Sequence, residues 1–141
     1  MSTEAASRPS AGGFAPSNLL EDALVRARAG QLAPADFLRV LLMSDLAVPS
    51  TAPVDAAGRG LQPVTYDKAG ALMVAAYSSL ERAKAAAGLA RYALTIRGRA
   101  LLRGLPPGFG LVLNPGLAAG MDITPDGIAD ALRDLAAPAP G

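Results

Sequence analysis

Residues 63–77 read PVTYDKAGALMVAAY, and the fold turns on how this stretch is read. Pro63 to Tyr66 and Leu72 to Tyr77 are β-like segments. Asp67, Lys68, Ala69 and Gly70 between them make a good hairpin connection. A hairpin amid helical segments favours an α+β domain with a mixed or mainly antiparallel sheet over a regular βαβ array.

Toward the N-terminus, Leu46 to Pro49 reads as a short strand and Ser50 to Gly60 as a surface loop rich in Pro, Gly and Ala. Before them lie two helices. The first starts at Ser17 or Asn18, where Asn18 and Glu21 have capping-box spacing. It carries Leu20, Ala23, Leu24 and Ala27 on one face and ends at Gly30. The second has Pro34 in its first turn and Phe37, Leu38, Leu41 and Leu42 as its apolar face.

Toward the C-terminus, Ser78 and Glu81 repeat the capping-box spacing and open a helix that stops at Gly88. Tyr92 to Ile96 is a strand, Gly98 to Arg103 a short helical piece, and Phe109 to Leu113 an apolar strand. The last helix has Thr124 as N-cap, Pro125 at its first position and Asp126 beside the positive end of the dipole. Ile128, Ala131, Leu132 and Leu135 give it a continuous apolar stripe. The expectation is a single α+β domain of about five strands and about four helices over residues 18–137, with tails at 1–17 and 138–141.

Composition narrows the function. Hydrophobic residues make up 51% of 141 and aromatics only 4%, so the core must be built from Ala, Leu and Val. The chain has no Cys and no His. That excludes disulfides, thiolate nucleophiles, Cys-ligated zinc and imidazole acid–base chemistry. P-loop, G-x-S-x-G, S-x-x-K and G-x-G-x-x-G motifs are missing too, so neither catalytic residues nor a cofactor is expected. A net charge of +1 gives no global attraction to nucleic acid or an anionic membrane. Residues 1–16 contain no apolar run of the export type. The longest uncharged stretch, Gly104 to Met121, holds five Gly and three Pro and so cannot form a membrane helix. The reading is a cytoplasmic protein.

Three groups are candidate binding surfaces. Asn114-Pro115-Gly116 has the residues of a type II turn closing a strand, with Asn114 able to present its amide at a strand end. Arg97, Arg99 and Arg103 belong to a basic middle region free of acids, and Arg suits bidentate contact with phosphate or carboxylate. Stacking aromatics are too few there for nucleic acid. Asp126, Asp130 and Asp134 line one face of the last helix. A solvated face explains them; docking to a basic partner, or to the Arg-rich segment of another copy, is the functional alternative. A rigid helix offers too few converging oxygens for a metal.

Leu46-Ala47-Val48-Pro49 with its loop, the hairpin leading into Ala76-Tyr77-Ser78-Ser79, and Gly110-Leu111-Val112-Leu113-Asn114-Pro115-Gly116 together resemble the SseB N-terminal-domain family. The similarity runs from about Leu19 to Leu135, with Tyr77 where Phe is expected. The resemblance implies a bacterial protein, linked to serine sensitivity or accessory to a specialised secretion system, and carries over no catalytic residue. The expected role is a non-catalytic module that binds a protein, a peptide or another copy of itself. A small-molecule or enzymatic site in a pocket near Asn114 is the rival reading.

Overall fold

Asn18 stands in extended conformation just ahead of the first helix, and its side-chain oxygen accepts the N–H of Glu21 at 2.8 Å. From this cap the chain runs through α1 (Leu19–Arg28), α2 (Pro34–Leu42), β1 (Asp45–Ser50), β2 (Thr65–Lys68), β3 (Ala71–Ala76) and α3 (Leu80–Ala83). After a 3₁₀ turn over Lys84–Ala86 come β4 (Tyr92–Arg97), α4 (Gly98–Gly104), β5 (Gly110–Leu113), β6 (Met121–Ile123) and α5 (Pro125–Asp134). The structure is a computed structural model and describes residues 15–134. The expected C-terminal tail, most of the N-terminal one and Leu135 lie outside the described residues. Ala15 and Ser17, assigned above to the tail, are hydrogen-bonded to Arg82 and Glu21 respectively.

The fold is α+β, as expected, with the strands in two sheets. One has the order β2-β3-β5-β6, the other is the antiparallel pair β1-β4. The hairpin expectation holds, with a tighter connection: Thr65 to Lys68 pair with Ala71 to Val74, leaving only Ala69 and Gly70 in the turn, both at positive φ. β3 and β5 are parallel, and the crossover between them contains α3, β4 and α4. Ala47 and Tyr77 exchange two backbone hydrogen bonds, of 2.9 and 2.7 Å, and so join β1 to the end of β3.

Leu20, Leu24, Phe37, Leu41, Val48 and Leu113 are among the side chains of the main core, which α1, α2, α4 and α5 cover. Leu and Val dominate it, as the scarcity of aromatics requires.

Three local expectations shift. β6 is absent from the sequence reading, because three residues cannot display a period of two; it exists through pairing with Leu111 to Leu113. The cap of α3 is Ser79, whose hydroxyl accepts the N–H of Arg82 at 3.0 Å, rather than Ser78, which is drawn into a buried network. The helix expected to reach Gly88 is one α-turn and one 3₁₀ turn. No residue of α3 is buried, and a short helix without a buried face has little to stabilise it.

α4 carries Arg99 and Arg103, and its position depends on Gly98. A Cβ at residue 98 would lie 2.0 Å from the carbonyl oxygen of Leu41 in α2. Backbone cannot yield there as a side chain tip can. Gly98→Ala is expected to lower stability by about 3 kcal/mol in urea unfolding. Gly104→Ala, with open space around it at the other end of α4, should change stability by less than about 1 kcal/mol.

Candidate functional site

Glu21 is in the first turn of α1 and is wholly buried. Its spacing from Asn18 suggested a local capping box, yet the carboxylate reaches across the molecule. Oε1 accepts the Ser17 N–H at 2.8 Å and the Ser17 hydroxyl at 2.9 Å. Oε2 accepts the Ser78 hydroxyl at 2.6 Å. Arg82 grips both oxygens, Nε to Oε2 and an Nη to Oε1, each at 3.1 Å. Burial pushes this carboxyl up, but the donors from Arg82, Ser78 and Ser17 outweigh it and hold the pKa at about 2.

Asn114 is the next link. Its Oδ1 accepts the Ser78 N–H at 2.9 Å, and its Nδ2 donates to the Ser78 hydroxyl at 3.0 Å. The residue is buried and has positive φ. Gly116 has φ +82, and the Leu117 N–H reaches the Asn114 carbonyl at 3.1 Å. These are the marks of the type II turn that the sequence called for. The Tyr77 hydroxyl donates to the Pro115 carbonyl at 2.9 Å and pins the turn from outside. Asn114 therefore presents its amide inward, to Ser78.

On the outer side of this turn lies a depression of about 610 Å³, lined by Arg28, Tyr66, Lys68, Tyr77, Leu89 and Asp122 among others. Lys68 of β2 and Asp122 of β6, on the two edge strands of the sheet, form an ion pair of 3.1 Å across it. Arg28 donates to the Gly120 carbonyl at 2.7 Å.

A second feature is an apolar trough over β1 and β4. Six large apolar side chains stay exposed among the described residues, and four of them, Leu19, Met43, Leu80 and Tyr92, lie along this trough. Leu19 is 82% exposed and Met43 69%. The trough consists of two adjoining hollows of about 510 and 170 Å³ that share Leu80. Small residues line it on the strands: Ala47 and Thr95 in the first hollow, Pro49 and Ala93 in the second. Leu19 follows the cap of α1 and Leu80 the cap of α3. The two walls are tied by the Glu21–Arg82 pair and by the Asn18 side-chain amide, which donates to the Ser78 carbonyl at 3.0 Å.

Of the candidates from sequence, Arg97 is nearest the trough. It pairs with Asp45 at 3.2 Å and donates to the Met43 carbonyl. Arg99 and Arg103 are exposed on α4. Asp126 and Asp130 are exposed on α5, Asp130 paired with Arg133, while Asp134 closes the helix. Among the described residues no ion pair joins the Arg group to the Asp face. No group of three or more acidic side chains there could hold a metal ion. No helix there is long and apolar enough to cross a membrane. Sequence reasoning missed Leu19 and Leu80. The available signal was that Leu19 falls outside the stripe of Leu20, Ala23, Leu24 and Ala27.

Residues 20–130 match the family model described as SseB protein N-terminal domain. Neither a curated protein nor a solved structure matches the chain.

The carboxyl of Glu21 ionises at about 2 in the folded chain and near 4.5 once unfolded. Its contribution, about 3 kcal/mol, is complete above about pH 5 and is lost as pH falls toward 2. Glu21→Gln is expected to lower stability at pH 7 by a similar amount and to flatten the acid limb of a urea-midpoint profile. An unchanged acid limb would show that other carboxylates govern it.

Proposed function

We propose that this chain, which belongs to the family of SseB protein N-terminal domains, is a non-catalytic module that binds another protein along the β1–β4 trough. The supporting observation is the collection of Leu19, Met43, Leu80 and Tyr92 on one concave surface. Apolar side chains scattered singly need no explanation, but four along one hollow form the kind of patch that partners cover. Covering a Leu or Met side chain contributes about 1.5–3 kcal/mol, so Leu19, Met43 and Leu80 are the anchors on which a complex here would chiefly depend. The walls are held by a buried ion pair, so the trough is formed before the partner arrives and little ordering entropy is lost on binding.

A non-catalytic role agrees with a chain that lacks imidazole and thiol groups. The setting proposed for it is the bacterial cytoplasm, in service of a specialised secretion system or of serine-related physiology; the family resemblance alone suggests these. Arg91, which borders the second hollow and forms no ion pair among the described residues, favours a partner with acidic residues. Lys84 there is paired with Glu81, and Arg97 beside the first hollow with Asp45.

A second reading has one specific observation in its favour. The depression beside Pro115 is concave and brings Arg28, Lys68 and Asp122 together with two tyrosines, a suitable set for a small polar molecule. Arg28→Ala would weaken such a ligand and leave the trough untouched.

The test is a photoreactive benzophenone side chain placed in cells at residue 80 or, as control, at Arg103. A protein crosslinked from 80 and not from 103 is expected. Met43→Asp combined with Leu80→Asp should weaken its binding at least tenfold, because both side chains are already exposed and the fold does not need them. Equal crosslinking from both positions, or affinity indifferent to the double substitution, would sink this reading.

A further inference from the structure

Pro49 interrupts β1 in mid-strand, where the missing N–H would break a ladder if it faced β4. It does not face β4. Ala47, two residues earlier, spends both its N–H and its C=O on Tyr77, so the odd-numbered residues of β1 turn their backbone away from β4. Their partners in the antiparallel register, Ala93 opposite Pro49, Thr95 opposite Ala47 and Arg97 opposite Asp45, then also form non-hydrogen-bonded pairs. The N–H and C=O groups of Ala93 and Thr95 and the N–H of Arg97 therefore point to the outer edge of β4, while the Arg97 carbonyl caps the start of α4. No strand pairs with that edge, and among the described residues none of the turn, loop and cap hydrogen bonds engages the N–H groups of those three residues or the carbonyls of Ala93 and Thr95.

Proteins usually blunt such an edge with a charge, a proline or a bulge. Here Ala93 and Thr95 are small, uncharged and exposed. Thr95 also lines the first hollow and Ala93 the second, so the open edge and the apolar trough are one continuous surface.

Charge selects the occupant. Residues 82–103 contain Arg82, Lys84, Arg91, Arg97, Arg99 and Arg103 and no acid. Arg91 directly precedes β4 and Arg99 follows it in the first turn of α4, and no ion pair is formed by either among the described residues. A second copy laid antiparallel on β4 and centred on Thr95 would bring residues 91–99 of each chain, which carry Arg91, Arg97 and Arg99 and no acid, against the same residues of the other. Like charges placed opposite each other are destabilising, so self-pairing is disfavoured. An acidic segment meets the opposite condition.

We infer that the free edge of β4 accepts an extended acidic segment of a partner protein as an added strand, its central apolar side chain lying on the trough opposite Thr95. This rests on the trough being the binding surface. The main chain of the segment would supply affinity through Ala93, Thr95 and Arg97, and its flanking Asp or Glu residues would be held by Arg91 and Arg99.

The test uses the full chain and peptides selected from a random phage-displayed library, then synthesised. Acidic residues on both sides of an apolar or β-branched centre are expected. Bound peptide should slow hydrogen exchange at the amides of Ala93, Thr95 and Arg97 at least tenfold, and affinity should fall with salt. Thr95→Pro removes an N–H that no ladder uses and fixes φ in a range that edge strands tolerate. Its melting curve should therefore stay close to that of Thr95→Ala while its affinity falls at least tenfold below that variant. If Thr95→Pro unfolds, the exchange measurement on the unaltered chain decides alone. Peptides lost on Leu80→Asp that do not protect those three amides would overturn strand addition and leave the trough as the binding surface. A library that yields no peptide dependent on Leu80 would overturn both.

Discussion

A carboxylate removed from water must be neutralised where it stands, and one corner of this fold is organised around that requirement at Glu21. Burying the charge alone would cost several kcal/mol, so the group persists only because donors from separate parts of the chain converge on it. Ser17 comes from the segment before α1, Ser78 from the end of β3, and Arg82 from α3. Asn114 at the end of β5 completes the arrangement through Ser78. Three stretches distant in sequence, 17–21, 78–82 and the turn at Asn114, are thus brought together around a single charge.

The same corner frames the surface proposed for recognition. Leu19 and Leu80 each follow a helix cap, Asn18 and Ser79, and the two caps lie on either side of the Glu21–Arg82 pair. Polar satisfaction inside and apolar exposure outside are therefore linked. A weakened pair would disturb the spacing of the trough walls as well as the stability of the domain. Its floor of Ala47, Pro49, Ala93 and Thr95 stays open because none of these side chains is large enough to fill it.

Elements whose signal is local were legible. Asn18 and Thr124 cap the helices that begin after them, since a cap needs only its own side chain and the next turn. Asn114-Pro115-Gly116 adopts the turn its residues prefer, because Pro presets φ and Gly accepts positive φ whatever surrounds them. Elements whose signal is distant were not legible. β6 forms through its partner β5, and the cap of α3 moves from Ser78 to Ser79 because Glu21, 57 residues away in the chain, recruits the Ser78 hydroxyl. The inward aim of the Asn114 amide has the same origin.

What the amino acids determined alone is the chemistry that this protein lacks and the α+β alternation it adopts. Residue identity cannot be altered by folding, and caps, turns and apolar periodicity act over a few residues. What only the tertiary structure decided is where the leftover surfaces fall. Leu19, Met43, Leu80 and Tyr92 are unremarkable in sequence, and β4 looks like any short strand. They become one trough beside one open edge because chain crossings, rather than local preferences, determine which faces are covered and which remain in water.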